Sequence, residues 1–131
     1  MSDLMYKALD RKVVIVSDNT ELLGELEFLV ASESFQYSKF DSRLSAIVHI
    51  KTSMPELVVL DLDMKANEAF KLANRFRRYK KYNRIFWIFL QSNETNQKLL
   101  KSLKLNNDML INKPIDTQHL KQVIKECLHL I

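Results

Sequence analysis

A short apolar run that ends in an aspartate constrains the fold of this chain more than any other feature. Residues 57–60 read Leu-Val-Val-Leu without polar alternation, and Asp61 follows directly. A run of this kind is typical of a strand that is buried on both faces, as in a parallel sheet covered by helices. Pro55 cannot donate a hydrogen bond to a neighbouring strand, so it marks the point where the strand begins. We therefore expect Asp61 at the carboxyl edge of an open α/β sheet, where such sheets bind their ligands.

The rest of the chain alternates between strand-like and helix-like segments. The strand patterns lie at residues 13–16, 35–40, 57–60, 85–90 and 109–111. Apolar residues recur at helical spacing over residues 20–30, 43–50, 69–79, 94–105 and 117–131. Five strands that alternate with five helices predict an α/β fold with a doubly wound, parallel five-stranded sheet. Residues 1–10 carry only a weak pattern, so we expect a short N-terminal leader before a single domain over 11–131.

Two of the predicted helices carry apolar residues that the spacing places on a core-facing stripe. In the segment 43–50 these residues include Leu44, Ile47 and Val48. In the segment 69–79 the stripe ends with Phe76 and Tyr79. Because one apolar stripe of a helix normally packs on the sheet, we expect these side chains to belong to the core.

Composition fits one globular domain in a reducing compartment. The chain has 131 residues, of which 47% are hydrophobic and 27% are charged, which is enough for a core of its own. Its single cysteine, Cys127, excludes an intramolecular disulfide framework. No apolar run approaches the roughly 20 residues of a membrane span, and the N-terminus lacks the order of a signal peptide. We therefore expect a cytoplasmic protein that does not bind membranes.

The polar residues that follow the predicted strands would meet at one edge of the sheet. They are Ser17, Asp18, Asp61, Gln91, Ser92 and Lys113. Asp18 and Asp61 could share a hard divalent cation, and Mg²⁺ suits a site with few carboxylates and several waters. Lys113 could hold a phosphoryl oxygen as a point charge. Asp61, at the centre, would then be a nucleophile that forms an acyl phosphate.

The order of these motifs resembles that of a known family. The motifs are the strand that ends in Asp61, the acidic Asp18 after the first strand, and the Lys113-Pro114 pair near the end. With them, residues 11–131 resemble the CheY-like receiver domain of two-component response regulators. The resemblance implies a flavodoxin-like fold with strand order 2-1-3-4-5. It also implies a usually cis peptide bond before Pro114.

The resemblance further implies roles for individual residues. Asp61 would be the phospho-acceptor, and Mg²⁺ would be held by Asp18, Asp61 and the backbone carbonyl of Asp63. Lys113, helped weakly by Ser92, would stabilise the phosphoryl group. The partner would be a histidine kinase or a phosphotransfer protein in a phosphorelay. The chain would not be an enzyme beyond self-phosphorylation and dephosphorylation at Asp61.

Several residues depart from the pattern of that family. Ser17 stands where the first of two adjacent acids is usual, which predicts a weakened Mg²⁺ site. Gln91 replaces a hydroxyl residue that bonds the phosphoryl group, and Leu110 replaces an aromatic residue that moves with it. Asp63 adds a second negative side chain. An alternative is therefore a degenerate receiver that acts as a phosphorylation-independent interaction or homodimerisation module through residues 94–131.

Other functions fit the sequence less well. Asp61-Leu62-Asp63 matches the DxD pattern of haloacid-dehalogenase-type phosphatases, but too little chain follows to supply a cap and a later acidic pair. A topoisomerase-primase-type site would need an acidic residue next to a glycine directly after the first strand, and residues 17–20 contain no glycine. The segment 71–84 is basic without an acid, as in nucleic-acid patches. A solvated helix face is the simpler interpretation, so we do not expect nucleic-acid binding.

Overall fold

The computed structural model describes residues 11–105 and 108–128, which form alternating strands and helices. The strands are β1 Lys12–Val16, β2 Gln36–Phe40, β3 Leu57–Asp61, β4 Phe86–Gln91 and β5 Met109–Asn112. The helices are α1 Thr20–Ser32, α2 Arg43–Ser53, α3 Glu68–Arg77, α4 Gln97–Ser102 and α5 Thr117–Cys127. The predicted leader 1–10 and the end of the last predicted helix beyond 128 lie outside the described residues. So does Asn106-Asn107, where the sequence predicts a turn because Asn tolerates positive φ.

The strands form one parallel sheet in the order β2-β1-β3-β4-β5, which confirms the predicted fold. Strand β3 is central, and all five of its residues are buried. Successive side chains of a strand point to opposite faces. Val58 and Leu60 therefore join the core under α2, α3 and α4, whereas Leu57 and Val59 join the core under α1 and α5. This doubly wound arrangement leaves the carboxyl edge of the sheet open for loops.

Side-chain oxygens fix where the helices begin. Asn19 accepts a hydrogen bond from the backbone N–H of Leu22 at 3.1 Å and begins α1. Asp116 caps α5 in the same way, through the N–H of His119. Each cap satisfies an N–H group that lacks a partner within the helix. Asn96 caps α4, so this helix begins at Gln97 and not at residue 94 as predicted.

The structure corrects the predicted core at three positions. Leu44, Val48 and Tyr79 are 68%, 65% and 53% exposed. Helix α2 buries Ala46 and Ile50 instead, because its apolar residues cover a wider arc than the sheet can bury. Tyr79 lies beyond the end of α3 in an extended conformation, so it leaves the stripe to which Phe76 belongs.

Arg77 ties α3 to the chain that enters β5. Its guanidinium forms an ion pair with Asp108 at 2.8 Å and donates to the carbonyl oxygens of Leu103 and Lys104 at 3.2 and 3.3 Å. It also lies 5.8 Å from the centre of the Phe89 ring. The side chains of Arg77 and Asp108 are only 18% and 8% exposed, so this pair is shielded from water.

Replacing Arg77 with Gln should therefore lower the free energy of unfolding by about 2 kcal/mol, because Asp108 loses a charged partner inside the protein. Arg75→Gln on the exposed side of the same helix is the matched control and should change it by less than about 0.5 kcal/mol. Urea denaturation measures both values. Equal stability of the two variants would show that the Arg77–Asp108 pair does not hold the fold.

No helix in the described part of the chain is long and apolar enough to cross a membrane.

Candidate functional site

The Asp61 carboxylate is the centre of the site, and it is 1% exposed. Its Oδ2 accepts a hydrogen bond from the Ser17 hydroxyl at 2.8 Å. Its Oδ1 accepts from Lys113 Nζ at 2.6 Å and from the backbone N–H of Asp63 at 2.9 Å. A carboxylate that is buried away from solvent needs such donors, because an unpaired buried charge destabilises the folded state.

Parallel pairing of the strands brings these donors together. Val16 lies opposite Leu60 in the register of β1 and β3, so Ser17 emerges beside Asp61. The Ser17 side chain is fully buried, and its hydroxyl accepts from the backbone N–H of Asn19 at 3.1 Å while it donates to Asp61. Lys113 reaches the same carboxylate from the chain that follows β5. The carboxyl ends of β1, β3 and β5 thus meet at one point.

Lys113 bridges two carboxylates. Its ammonium lies 2.6 Å from Oδ1 of Asp61 and 3.0 Å from Oδ2 of Asp63. The other oxygen of Asp63 accepts from the Thr95 hydroxyl at 2.6 Å, and that hydroxyl accepts from the backbone N–H of Ser92 at 2.9 Å. Asp63 therefore links the loop after β3 to the loop after β4, and Lys113 links both to the end of β5.

The charges of this network are stabilised by its hydrogen bonds. Burial alone would raise the pKa of Asp63, but hydrogen bonds from Thr95, Lys113 and Ser92 outweigh it and hold the pKa below its ordinary value of 3.8. Burial opposes the charge of Lys113, yet its bonds to Asp61 and Asp63 raise its pKa above the ordinary 10.5. The Lys113 ammonium beside the Asp63 carboxylate is thus the stable form of this pair at neutral pH.

The other residues that the sequence singled out lie around this centre. Asp18 accepts from the backbone N–H of Lys65 at 2.9 Å, so it holds the loop after β3 at the rim of the site. Gln91 donates to the Asn112 side chain at 2.8 Å, which engages it with the end of β5. Leu110 is partly buried and packs against the core. The Lys113-Pro114 peptide bond is cis, as the resemblance implied.

Thr95 is the site residue that the sequence interpretation missed. It is 5% exposed and supplies the hydroxyl that contacts Asp63. The predicted helix start at residue 94 placed it in a helix, whereas it closes a turn in which its N–H donates to the Ser92 carbonyl oxygen at 3.2 Å. A polar Ser-x-x-Thr spacing directly before a capping Asn was the available signal for this turn.

The donor types of the site suit Mg²⁺, although the acidic side chains alone do not form a cage. Among the described residues, no three His, Cys, Asp or Glu side chains are grouped so that they could hold a metal ion. The carboxylates of Asp18 and Asp61 and the carbonyl of Asp63 offer oxygen atoms at the same edge of the sheet. Mg²⁺ commonly binds to one or two carboxylates and keeps several waters, so this set fits the ion.

Comparison with known proteins agrees with this geometry. The model of the response regulator receiver domain family matches residues 13–125. The chain therefore belongs to the response regulator receiver domain family. No curated protein sequence gives a significant match to it.

Solved receiver domains share the fold at low sequence identity. The chain is similar to a CheY-like receiver domain protein from Methanospirillum hungatei, with 20% identity, a TM-score of 0.77 and coverage of 91% of this chain and 94% of that chain. It is also similar to a histidine kinase receiver domain from Syntrophus aciditrophicus, with 19% identity, a TM-score of 0.79 and coverage of 91% of this chain and 90% of that chain. The receiver domain of a sensor histidine kinase from Pseudomonas aeruginosa is 15% identical, with a TM-score of 0.78 and coverage of 91% of this chain and 98% of that chain. That structure has a magnesium ion coordinated in its active site cleft.

Proposed function

We propose that this receiver domain accepts a phosphoryl group on Asp61 and signals through contacts with other proteins. The observation that carries the proposal is the 2.6 Å contact between Lys113 Nζ and Oδ1 of the buried Asp61. A carboxylate beside a cation can act as a nucleophile while the cation receives the oxygens of the incoming group. The donor would be the phosphohistidine of a histidine kinase or of a phosphotransfer protein.

The residues of the chain have distinct parts in this transfer. A carboxylate oxygen of Asp61 would attack the phosphorus atom, and the bond from phosphorus to the histidine nitrogen would break with its electron pair on the nitrogen. Lys113 would turn from the carboxylates to the phosphoryl oxygens. Its positive charge there would offset the repulsion between these oxygens and the carboxylates of Asp61 and Asp63. Ser92, directly after β4, carries the hydroxyl that could assist.

A bound Mg²⁺ would fit the same site. Asp18, Asp61 and the carbonyl of Asp63 would hold it, and it would supply positive charge for the phosphoryl oxygens. The magnesium ion in the receiver domain from Pseudomonas aeruginosa supports this assignment by similarity. Because Ser17 brings a hydroxyl where a second acid is usual, we expect this chain to need more Mg²⁺ than receivers that carry both acids.

Intact mass spectrometry after incubation with acetyl phosphate or phosphoramidate and Mg²⁺ tests the proposal. The wild-type chain should gain the mass of one phosphoryl group, and hydroxylamine should remove it, as it cleaves acyl phosphates. Asp61→Asn should gain none, because an amide is not a nucleophile here. Asp41→Asn, the same change at an exposed position, is the matched control and should label like wild type.

A second candidate function is a phosphorylation-independent interaction or homodimerisation module. The hydrogen bond from Ser17 to Oδ2 of Asp61 favours it, because this neutral donor occupies a carboxylate oxygen that would otherwise face solvent or a cation. The segment 94–131 would be the contact surface. Absence of labelling in wild type, together with unchanged self-association of Asp61→Asn in sedimentation equilibrium, would decide for this function against phosphoryl acceptance.

A further inference from the structure

A groove between α2 and α3 combines exposed apolar side chains with cations, and nothing in the phosphoryl site uses it. It encloses about 520 Å³. Its lining includes the apolar Leu44, Ile47 and Tyr79 and the basic Lys71, Arg75 and Arg78. We call this surface, defined by these six residues, the basic groove.

The apolar part of the basic groove consists of side chains that the fold leaves in water. Leu44 and Tyr79 are exposed large hydrophobic residues, one on each side of the groove. Val48 follows Leu44 by one helical turn and is also exposed, so it extends the apolar surface along α2. Single exposed hydrophobic residues are common on proteins, but a group of them beside a groove marks a binding surface.

The charged part of the basic groove lacks compensation. Lys71 and Arg75 on α3 and Arg78 directly after its end are exposed and follow one another at helical spacing. No ion pair involves any of them within residues 11–105 and 108–128. No acidic residue occurs in the sequence 69–93. The nearest carboxylate along the chain, that of Glu68, is paired with Arg43. The groove therefore presents a field of one sign, which attracts a partner of the opposite sign.

We propose that the basic groove binds an acidic amphipathic segment of a partner protein. Its carboxylates would pair with Lys71, Arg75 and Arg78, and an apolar side chain would enter between Leu44 and Tyr79. The pairing of an apolar strip with a cationic strip is the complement of a helix that is acidic on one side and apolar on the other. The proposal is independent of phosphoryl transfer, since the groove shares no residue with the Asp61 network.

A protein partner explains the groove better than a nucleic acid does. Nucleic acids match the cations through their phosphates and can stack a base on Tyr79. Apart from thymine methyl groups and base faces they offer little apolar surface, so they cover the aliphatic side chains of Leu44 and Val48 less well than a polypeptide does. An apolar residue of a polypeptide would cover both.

Fluorescence anisotropy with a synthetic helical peptide tests the proposal on the full chain. The probe carries Glu on one face and Leu on the other, and a second peptide has every Glu replaced by Gln. We expect the Glu peptide to bind about tenfold more tightly than the Gln peptide. The double variant Arg75→Gln/Arg78→Gln should bind the Glu peptide about tenfold more weakly than wild type. Leu44→Ser should weaken binding about fivefold, which corresponds to about 1 kcal/mol.

The control is Lys98→Gln/Lys101→Gln, which removes the same charge from exposed positions on α4. It should bind like wild type. Absence of peptide binding, or equal weakening by the control, would overturn the proposal. It would also be overturned if a DNA duplex bound the groove more tightly than the peptide and Leu44→Ser left both affinities unchanged, since the surface would then recognise phosphates.

Discussion

Replacing Lys113 with Met should lower the free energy of unfolding by about 3–5 kcal/mol at neutral pH. Lys113 is the shared cation of two carboxylates, at 2.6 Å from Asp61 and 3.0 Å from Asp63. Met keeps much of the length and apolar stem of the side chain, so the loss is chiefly that of the charge. Asp61 is almost completely buried, and without the ammonium its charge would face that of Asp63 across a site with little water.

The pH dependence of this loss follows from the two shifted groups. Because the pKa of Asp63 is lowered, its contribution is complete above the ordinary 3.8 and is lost as the pH falls through the lowered value. Because the pKa of Lys113 is raised, its contribution is complete below the ordinary 10.5 and is lost as the pH rises through the raised value. The deficit of Lys113→Met should thus be largest near neutral pH, and it should shrink as the pH falls into the range where the carboxylates take up protons or rises through the raised pKa of Lys113.

Urea denaturation across this pH range measures the deficit. Lys101→Met, at an exposed position on α4, is the matched control and should stay within about 0.5 kcal/mol of wild type. The double variant Asp63→Asn/Lys113→Met should regain part of the lost stability, because it removes one of the two opposed carboxylates. If Lys113→Met were as stable as the control, the bridge would contribute nothing to the fold.

The strands and the centre of the site were predictable because their signals are local. Four apolar residues followed by Asp61 can hardly form anything but a buried strand with a polar end. Once five such strands are parallel, their carboxyl ends must meet, so Asp61 and Lys113 were expected at one edge of the sheet before any distance was known. In the structure Lys113 Nζ lies 2.6 Å from Oδ1 of Asp61.

The parts that were missed depend on tertiary geometry. Helical spacing cannot tell how wide an arc of α2 the sheet covers, and so Leu44 and Val48 were assigned to the core although they are exposed. The sequence predicts that the backbone carbonyl of Asp63 contacts Mg²⁺, but it does not predict that the Asp63 side chain links Lys113 to Thr95. That link depends on the turn in the loop after β4. Because the predicted helix begins at residue 94 and not at Gln97, the sequence pattern does not predict this turn.

Replacing Ser17 with Asp, the residue type that the resemblance implies at this position, should make the protein dependent on Mg²⁺. Ser17 is fully buried, and its hydroxyl lies 2.8 Å from Oδ2 of Asp61. A carboxylate there would exchange a donor for a like charge. Without a divalent cation we expect a loss of about 3 kcal/mol or more in the free energy of unfolding.

Mg²⁺ should restore most of the stability that Ser17→Asp loses. Three carboxylates, the introduced one and those of Asp18 and Asp61, would then share one cation. The substitution adds a carboxylate beside that of Asp61, so the variant should bind the ion more tightly than wild type. At a hundred times its dissociation constant, a bound ion adds about 2.7 kcal/mol.

Thermal unfolding with and without Mg²⁺ measures this gain, and Ser17→Asn is the uncharged control that should gain no more than wild type. If Mg²⁺ raised the melting temperature of all three proteins equally, the expectation that Ser17 weakens Mg²⁺ binding would be wrong. Lys113, whose ammonium already pairs with the Asp61 carboxylate, would then be the next residue to test.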